Sequence, residues 1–105
     1  MNGMQVIDAV AEELPTAMCD RAAERAVLAA VMLDDTPATF RRVAAIVGAA
    51  DFYDPAHSTV WRAIAALVER GEGVDVHTLV AELRRRGRLH TVGGAQFIGQ
   101  LTDEI

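Results

Sequence analysis

Three histidines, His57, His77 and His90, and a single cysteine, Cys19, are the side chains here best suited to holding a transition metal. Their spacing argues against that chemistry. No pair has the HxxxH or CxxC separation that brings two ligands to one side of an ion. His57 and His77 fall in the first turn of expected helices, and His90 falls in an expected loop, so solvated or hydrogen-bonding roles suit all three. Asp34 and Asp35 are adjacent carboxylates. Paired acids catalyse when their environments drive their pKa values apart, but these two stand directly before Thr36-Pro37, where turn chemistry accounts for them. Cys19 precedes Asp20, a neighbour that raises a thiol pKa and weakens a nucleophile. Gly93-Gly94 ahead of a helix looks like half of a phosphate cradle, yet the third glycine and the preceding strand are missing. A turn and a helix start explain it. All ten basic residues are arginine. With no lysine, neither a P-loop nor a Schiff base can be built. The residues predict no catalysis, no cofactor and no metal.

The densest chemical signal is "ELRRRGRLHTVGG", residues 82–94, where Arg84, Arg85, Arg86 and Arg88 crowd into five positions. A grip on nucleic acid is one reading. Consecutive helical positions, however, fan over about 200° of the circumference and form no flat patch. Cations also suit the last turn of a helix, by ~0.3–1 kcal/mol each. Glu82 stands four residues before Arg86, at ion-pairing distance along a helix. No aromatic residue lies between Trp61 and Phe97 to stack on a base. The helix-end reading covers most of the cluster.

The totals agree. The net charge is −5, opposite to the usual balance of a protein that neutralises phosphates. The 105 residues fit one domain, large enough to bury roughly 65% of its unfolded surface in a core. One cysteine excludes an internal disulfide and suits a reducing compartment. No run nears the ~18 apolar residues of a membrane span, and the N-terminus lacks the basic region of a secretory signal. These features predict a cytoplasmic protein.

The elements that must position these residues are helical throughout. Val6, Ile7, Val10 and Leu14 share one face before Pro15, which fits a short helix or a leader over 1–19. "DRAAERAVLAAVML", residues 20–33, reads as a central buried helix with Asp20 as N-cap and Glu24 near the positive dipole end. Thr36, Pro37 and Gly48 punctuate a second helix, with Phe40, Val43, Ala44 and Val47 inward. Asp54, Pro55 and Gly71 punctuate a third, with Val60, Ile64, Leu67 and Val68 inward and Trp61 at the border. Asp75 and Gly87 bound a fourth, with Leu79, Leu83 and either Val80 or Val76 inward. A last helix runs from about Gly94, with Phe97, Ile98, Leu101 and Ile105 about four apart. The expected fold is all-α: a compact orthogonal bundle of five to six short helices.

Taken together, "ERAVLAAVMLDD", "ADFYDPAHSTVWRAIAALVERG" and "VDVHTLVAELRRRGRLHTVGGAQFIGQL" resemble the N-terminal domain of DnaB-type replicative helicases. The resemblance rests on Glu24, Val27, Leu28, Met32, Leu33 and Asp34, then Asp51, Phe52, Tyr53 and His57. Asp75, Thr78 and Leu79 follow, then Leu83, Gly87, Leu89, Val92, Gly93, Gly94 and Leu101. It covers residues 20–103. Leu28-Ala29-Ala30 stands where the family usually has Leu-Gly-Gly. The family's helical hairpin arm, linker and motor domain have no counterpart here. The domain of 20–105 is therefore either a piece of a longer protein or a free-standing copy.

The resemblance implies a non-catalytic module that self-associates with helicase protomers as a ring collar and docks the C-terminal domain of primase. Without the arm, this chain alone is expected to be a monomer or weak dimer. The candidate contact residues are Phe97, Ile98, Leu101 and Ile105, with Arg84, Arg85 and Arg88 facing an acidic partner. The competing reading is that the four apolar residues close the core. Two other functions stay open: a phage or mobile-element homologue that modulates a host helicase or primase, and a small DNA-binding protein using Arg84–Arg88.

Overall fold

The computed structural model describes residues 20–103. The expected short helix before Pro15, Cys19 and Ile105 lie outside them. Among the described residues there are six α-helices and no strand. Helix α1 spans Arg21–Leu33, α2 Ala38–Ala44, α3 Pro55–Glu69, α4 Val76–Arg85, α5 Leu89–Val92 and α6 Gly94–Asp103. A single 3-10 turn, Ala49–Asp51, links α2 to α3.

Local chemistry sets most boundaries. Asp20 Oδ1 accepts the Ala22 and Ala23 amides and starts α1. Asp54 accepts the Ala56 amide ahead of Pro55 and starts α3. Asp75 and Thr78 cap reciprocally at α4: the Thr78 amide donates to Asp75 Oδ1, and the Asp75 amide donates to Thr78 Oγ1, both at 2.9 Å. Gly71 and Gly87 follow α3 and α4 with φ of +74° and +70°, the left-handed conformation that closes a helix C-terminus.

The second helix departs from its expected punctuation. It starts at Ala38, with Pro37 one place outside it, and ends at Ala44. Its cap is shared: Thr36 Oγ1 accepts the Ala38 amide, and Asp34 Oδ2 accepts both the amide and the hydroxyl of Thr39. Gly48 does not close α2. Its amide donates to Asp51 Oδ2 at 2.8 Å and opens the 3-10 turn instead. Ala44 faces solvent; Val43 and Val47 carry the inward face. His90, expected in a loop, sits in α5, a single helical turn.

Helix α1 is the hub, packed against α2, α3 and α6, while α4 packs against both α3 and α6. Val27, Leu28, Ala29 and Val31 of α1 are almost wholly buried. So are Val60 and Ile64 of α3, Leu79 and Leu83 of α4, and Ile98 of α6. Trp61 is no border residue. It is 3% exposed, stacked on Phe40 at 4.7 Å and tilted against Phe52 at 5.5 Å. That geometry ties α2, and the residue just after the 3-10 turn, to α3.

Candidate functional site

Two buried carboxylates organise the polar chemistry of the domain. Each sits on an apolar helical stripe. Glu24 precedes Val27, Leu28 and Val31 by three, four and seven positions, and Glu82 lies between Leu79 and Leu83. A carboxylate in such a place must find donors inside the protein.

Glu24 is fully buried. Its Oε2 accepts the Tyr53 amide, and its Oε1 accepts the Asp54 amide at 3.2 Å. Nδ1 of His57 approaches the same Oε1 at 2.7 Å. The carboxylate is acceptor-only when ionised, so the ring nitrogen donates. His57 is 2% exposed and stacks on Phe97 at 6.0 Å. Its Nε2 lies 3.9 Å from Asp54 Oδ2. Glu24 thus fastens α1 to the loop that starts α3, and His57 carries the contact on to α6. This is a structural joint, closed to solvent.

Glu82 is 3% exposed and gathers three guanidinium groups. Arg85 donates through Nε at 3.2 Å and Nη2 at 2.8 Å. Arg86 donates through Nε at 2.7 Å, and Arg70, at the end of α3, through Nη2 at 2.9 Å. Arg70 Nε also reaches Glu72. The bonds from Arg85, Arg70 and Arg86 hold the Glu82 carboxyl well below the usual carboxylate range. The same contacts raise Arg70, through Glu82 first and Glu72 second, and raise Arg85. A cleft of about 570 Å³ opens beside this group, with Leu67, Thr78 and Ala81 between Arg70, Glu72, Glu82 and Arg85.

The expected contact residues divide. Arg84, Arg85 and Arg88 are exposed. Arg85 is drawn to Glu82, while Arg84 and Arg88 make no ion pair among the described residues. Ile98 and Leu101 are 0% and 2% exposed, so their apolar surface is spent in the core. Phe97 is half-buried against it. The anticipated Glu82–Arg86 pair forms. The sequence reading missed Arg70, which lies twelve residues from Glu82 and meets it only through folding. It also missed Glu24 and His57 as partners, although the acid on an apolar stripe was a usable sign.

Among the described residues no group of three His, Cys, Asp or Glu side chains could hold a metal ion. No described helix is long and apolar enough to cross a membrane.

The DnaB-like helicase N terminal domain model matches residues 16–105. Replicative DNA helicase DnaB of Geobacillus stearothermophilus is 39% identical over 83 residues, 79% of this chain and 18% of that protein. Replicative DNA helicase DnaB of Mycobacterium leprae is 40% identical over 86 residues, 82% of this chain and 14% of that protein. The chain therefore spans less than a fifth of the length of these relatives. The crystal structure of the N-terminal domain of DnaB helicase from Mycobacterium tuberculosis superposes with a TM-score of 0.77 at 40% identity, covering 81% of this chain and 59% of that one. The matched residues hold both Glu24 with its partners and the whole Glu82 group, and on this agreement of sequence and fold the chain belongs to the DnaB-like helicase N-terminal domain family.

Proposed function

We propose that this chain serves DNA replication as a non-catalytic assembly and docking module of a replicative helicase. In this role it contributes to a ring collar by self-association and receives the C-terminal domain of primase. The family match across residues 16–105 carries the reading. The chemistry of the chain supports it. Without lysine there is no nucleotide-binding loop, the net charge of −5 disfavours phosphate-driven affinity, and the two buried carboxylates are fully engaged within the fold. Residues 20–105 form the collar domain, and the polypeptide acts in the cytoplasm.

The test is a pull-down with helicase and primase purified from the same source. Capture of either at micromolar concentration supports the role, and capture of neither overturns it. Light scattering across concentrations should give a monomer or weak dimer for this chain alone; a stable hexamer would contradict that. Titration with duplex and single-stranded DNA over a salt series tests the DNA-binding reading. Micromolar binding with a steep negative salt slope would replace the docking role with a nucleic-acid role.

A further inference from the structure

We propose that the Glu82-centred arginine group and the cleft beside it form a docking site for an acidic peptide segment of a partner protein, one carrying an apolar anchor between its carboxylates. The proposal rests on the interaction-module reading only for the partner being a protein; it adds the surface and the ligand chemistry.

The first argument is order. Arg70 comes from the end of α3, and Arg85 and Arg86 come from the end of α4. All three converge on one carboxylate that is 3% exposed. Long side chains ordinarily lose much rotamer freedom when a ligand fixes them. Here an internal anchor has already fixed them in the free protein, so that entropic cost falls on folding and not on binding.

The second argument is unspent capacity. A guanidinium group offers five N–H donors in a planar fork matched to carboxylates. Arg70 and Arg85 use Nε and Nη2, and Arg86 uses Nε alone. Nη1 of each, and Nη2 of Arg86, bond to no acceptor among the described residues. The side chains of Arg70, Arg85 and Arg86 are 42%, 65% and 34% exposed, so those donors are open to a ligand.

The third argument is charge and shape. Arg70 and Arg85 line the cleft, Arg86 shares Glu82 with them, and Arg84 and Arg88 are their close neighbours along the chain. Glu72 and Glu82 are the carboxylates in contact with them, and Glu69 stands one position before Arg70. Five arginines against these three carboxylates leave a local excess of positive charge on a chain of net charge −5. The cleft of about 570 Å³ adds the exposed Ala81 as apolar surface next to Arg70 and Arg85, over a floor of buried Leu67, a volume typical of sites for small ligands. The mixed lining favours a peptide with one apolar side chain and flanking carboxylates. It disfavours a polynucleotide, because no aromatic ring lines the cleft for a base to stack on.

The test uses a fluorescent peptide of about twelve residues with glutamate and leucine at helical spacing, its glutamine-substituted twin, and single-stranded DNA of similar length. The glutamate peptide should bind about tenfold or more tightly than the glutamine twin, and R70Q/R85Q should lose about tenfold in affinity. R84Q/R88Q breaks no ion pair and should lose about two- to threefold. Glu82→Gln discriminates most sharply. It makes the chain less negative by one, so undirected attraction predicts tighter peptide binding, whereas a pre-ordered fork predicts weaker binding. Equal or tighter binding by E82Q, equal affinity for the two peptides, or preference for DNA would overturn the site.

Circular dichroism melts establish that each variant is folded at the assay temperature. If R70Q/R85Q unfolds, Arg85→Gln alone, which leaves Glu82 two guanidinium partners, carries the test at a threefold loss. The helicase and primase pull-down run beside it separates the two readings. Peptide binding without capture overturns the helicase role and supports this site. Capture undiminished in variants that no longer bind peptide overturns this site and leaves the helicase role standing.

Discussion

Replacing Glu24 by alanine removes the acceptor of three donors at once: the amides of Tyr53 and Asp54 and Nδ1 of His57. A hydrogen bond to a charged group contributes ~1.5–3 kcal/mol net. The full sum is not lost, because Tyr53 is 65% exposed and the two loop amides regain water. The His57 ring is 2% exposed and regains none. The expected destabilisation is ~3–5 kcal/mol, set mainly by the orphaned imidazole and the loosened loop. Total stability in a domain of this kind is ~5–15 kcal/mol, so the variant should lose a large share of it. At ~4–8 °C per kcal/mol for 60–100 residues, the Tm should fall by ~12–40 °C. Urea titration followed by Trp61 fluorescence reads the change directly, since Trp61 is the only tryptophan and is buried between Phe40 and Phe52. Glu24→Gln keeps the volume and one acceptor oxygen and should lose about half as much. A double-mutant cycle with His57→Ala should show coupling above ~0.5 kcal/mol. A loss below ~1 kcal/mol for Glu24→Ala, or no coupling to His57, would refute the account of Glu24 as the joint between α1 and α3.

Asp34 gives the pH prediction. Bonds from the Thr39 hydroxyl, then the Thr36 and Thr39 amides and the Thr36 hydroxyl, hold its pKa down to about 2. A depressed folded-state pKa means that its contribution is complete above the ordinary aspartate value and is lost as pH falls from about 4 towards 2. Asp34→Asn should flatten that part of a stability–pH curve and cost ~1 kcal/mol at neutral pH, as for a lost cap. Gly87→Ala and Gly93→Ala form a graded pair in chemical denaturation. Gly87 has φ +70° and open space for a Cβ, so alanine should cost ~1 kcal/mol. Gly93 has φ +112°, and a Cβ there would meet Phe97 Cβ at 3.1 Å, so its loss should be distinctly larger. Ile98→Ala should lower stability by ~2–5 kcal/mol as a core truncation, seen as a fall in the urea midpoint. A variant that kept its midpoint while losing a partner would return Ile98 to the surface.

The helices were legible in the sequence because their signals are local. Asp20, Asp54 and Asp75 cap within three residues of themselves, and Gly71 and Gly87 need only their own backbone conformation. The apolar stripes of α1, α3 and α4 follow from one helical period, and so does the Glu82–Arg86 pair four residues apart. The second helix was read less well. Thr36, Pro37 and Gly48 are individually good punctuation, but Asp34 reaches five residues ahead to cap Thr39, and Gly48 is taken by Asp51. Competing local bonds decide such cases, and the residue types do not rank them.

What the sequence alone determined is the helical architecture, the core stripes, and the ordered pattern that marks the family. Folding decided what the charged residues do. Glu24 meets His57 thirty-three positions away, and Arg70 meets Glu82 across twelve. No periodicity encodes contacts of that kind; they exist because α1, α3 and α4 pack together. The physical reason is desolvation. Packing carried two carboxylates out of water, and each had to collect whatever donors the neighbouring helices brought within reach. One collected two amides and an imidazole and became a joint. The other collected three arginines that still face solvent, and became the centre of a surface.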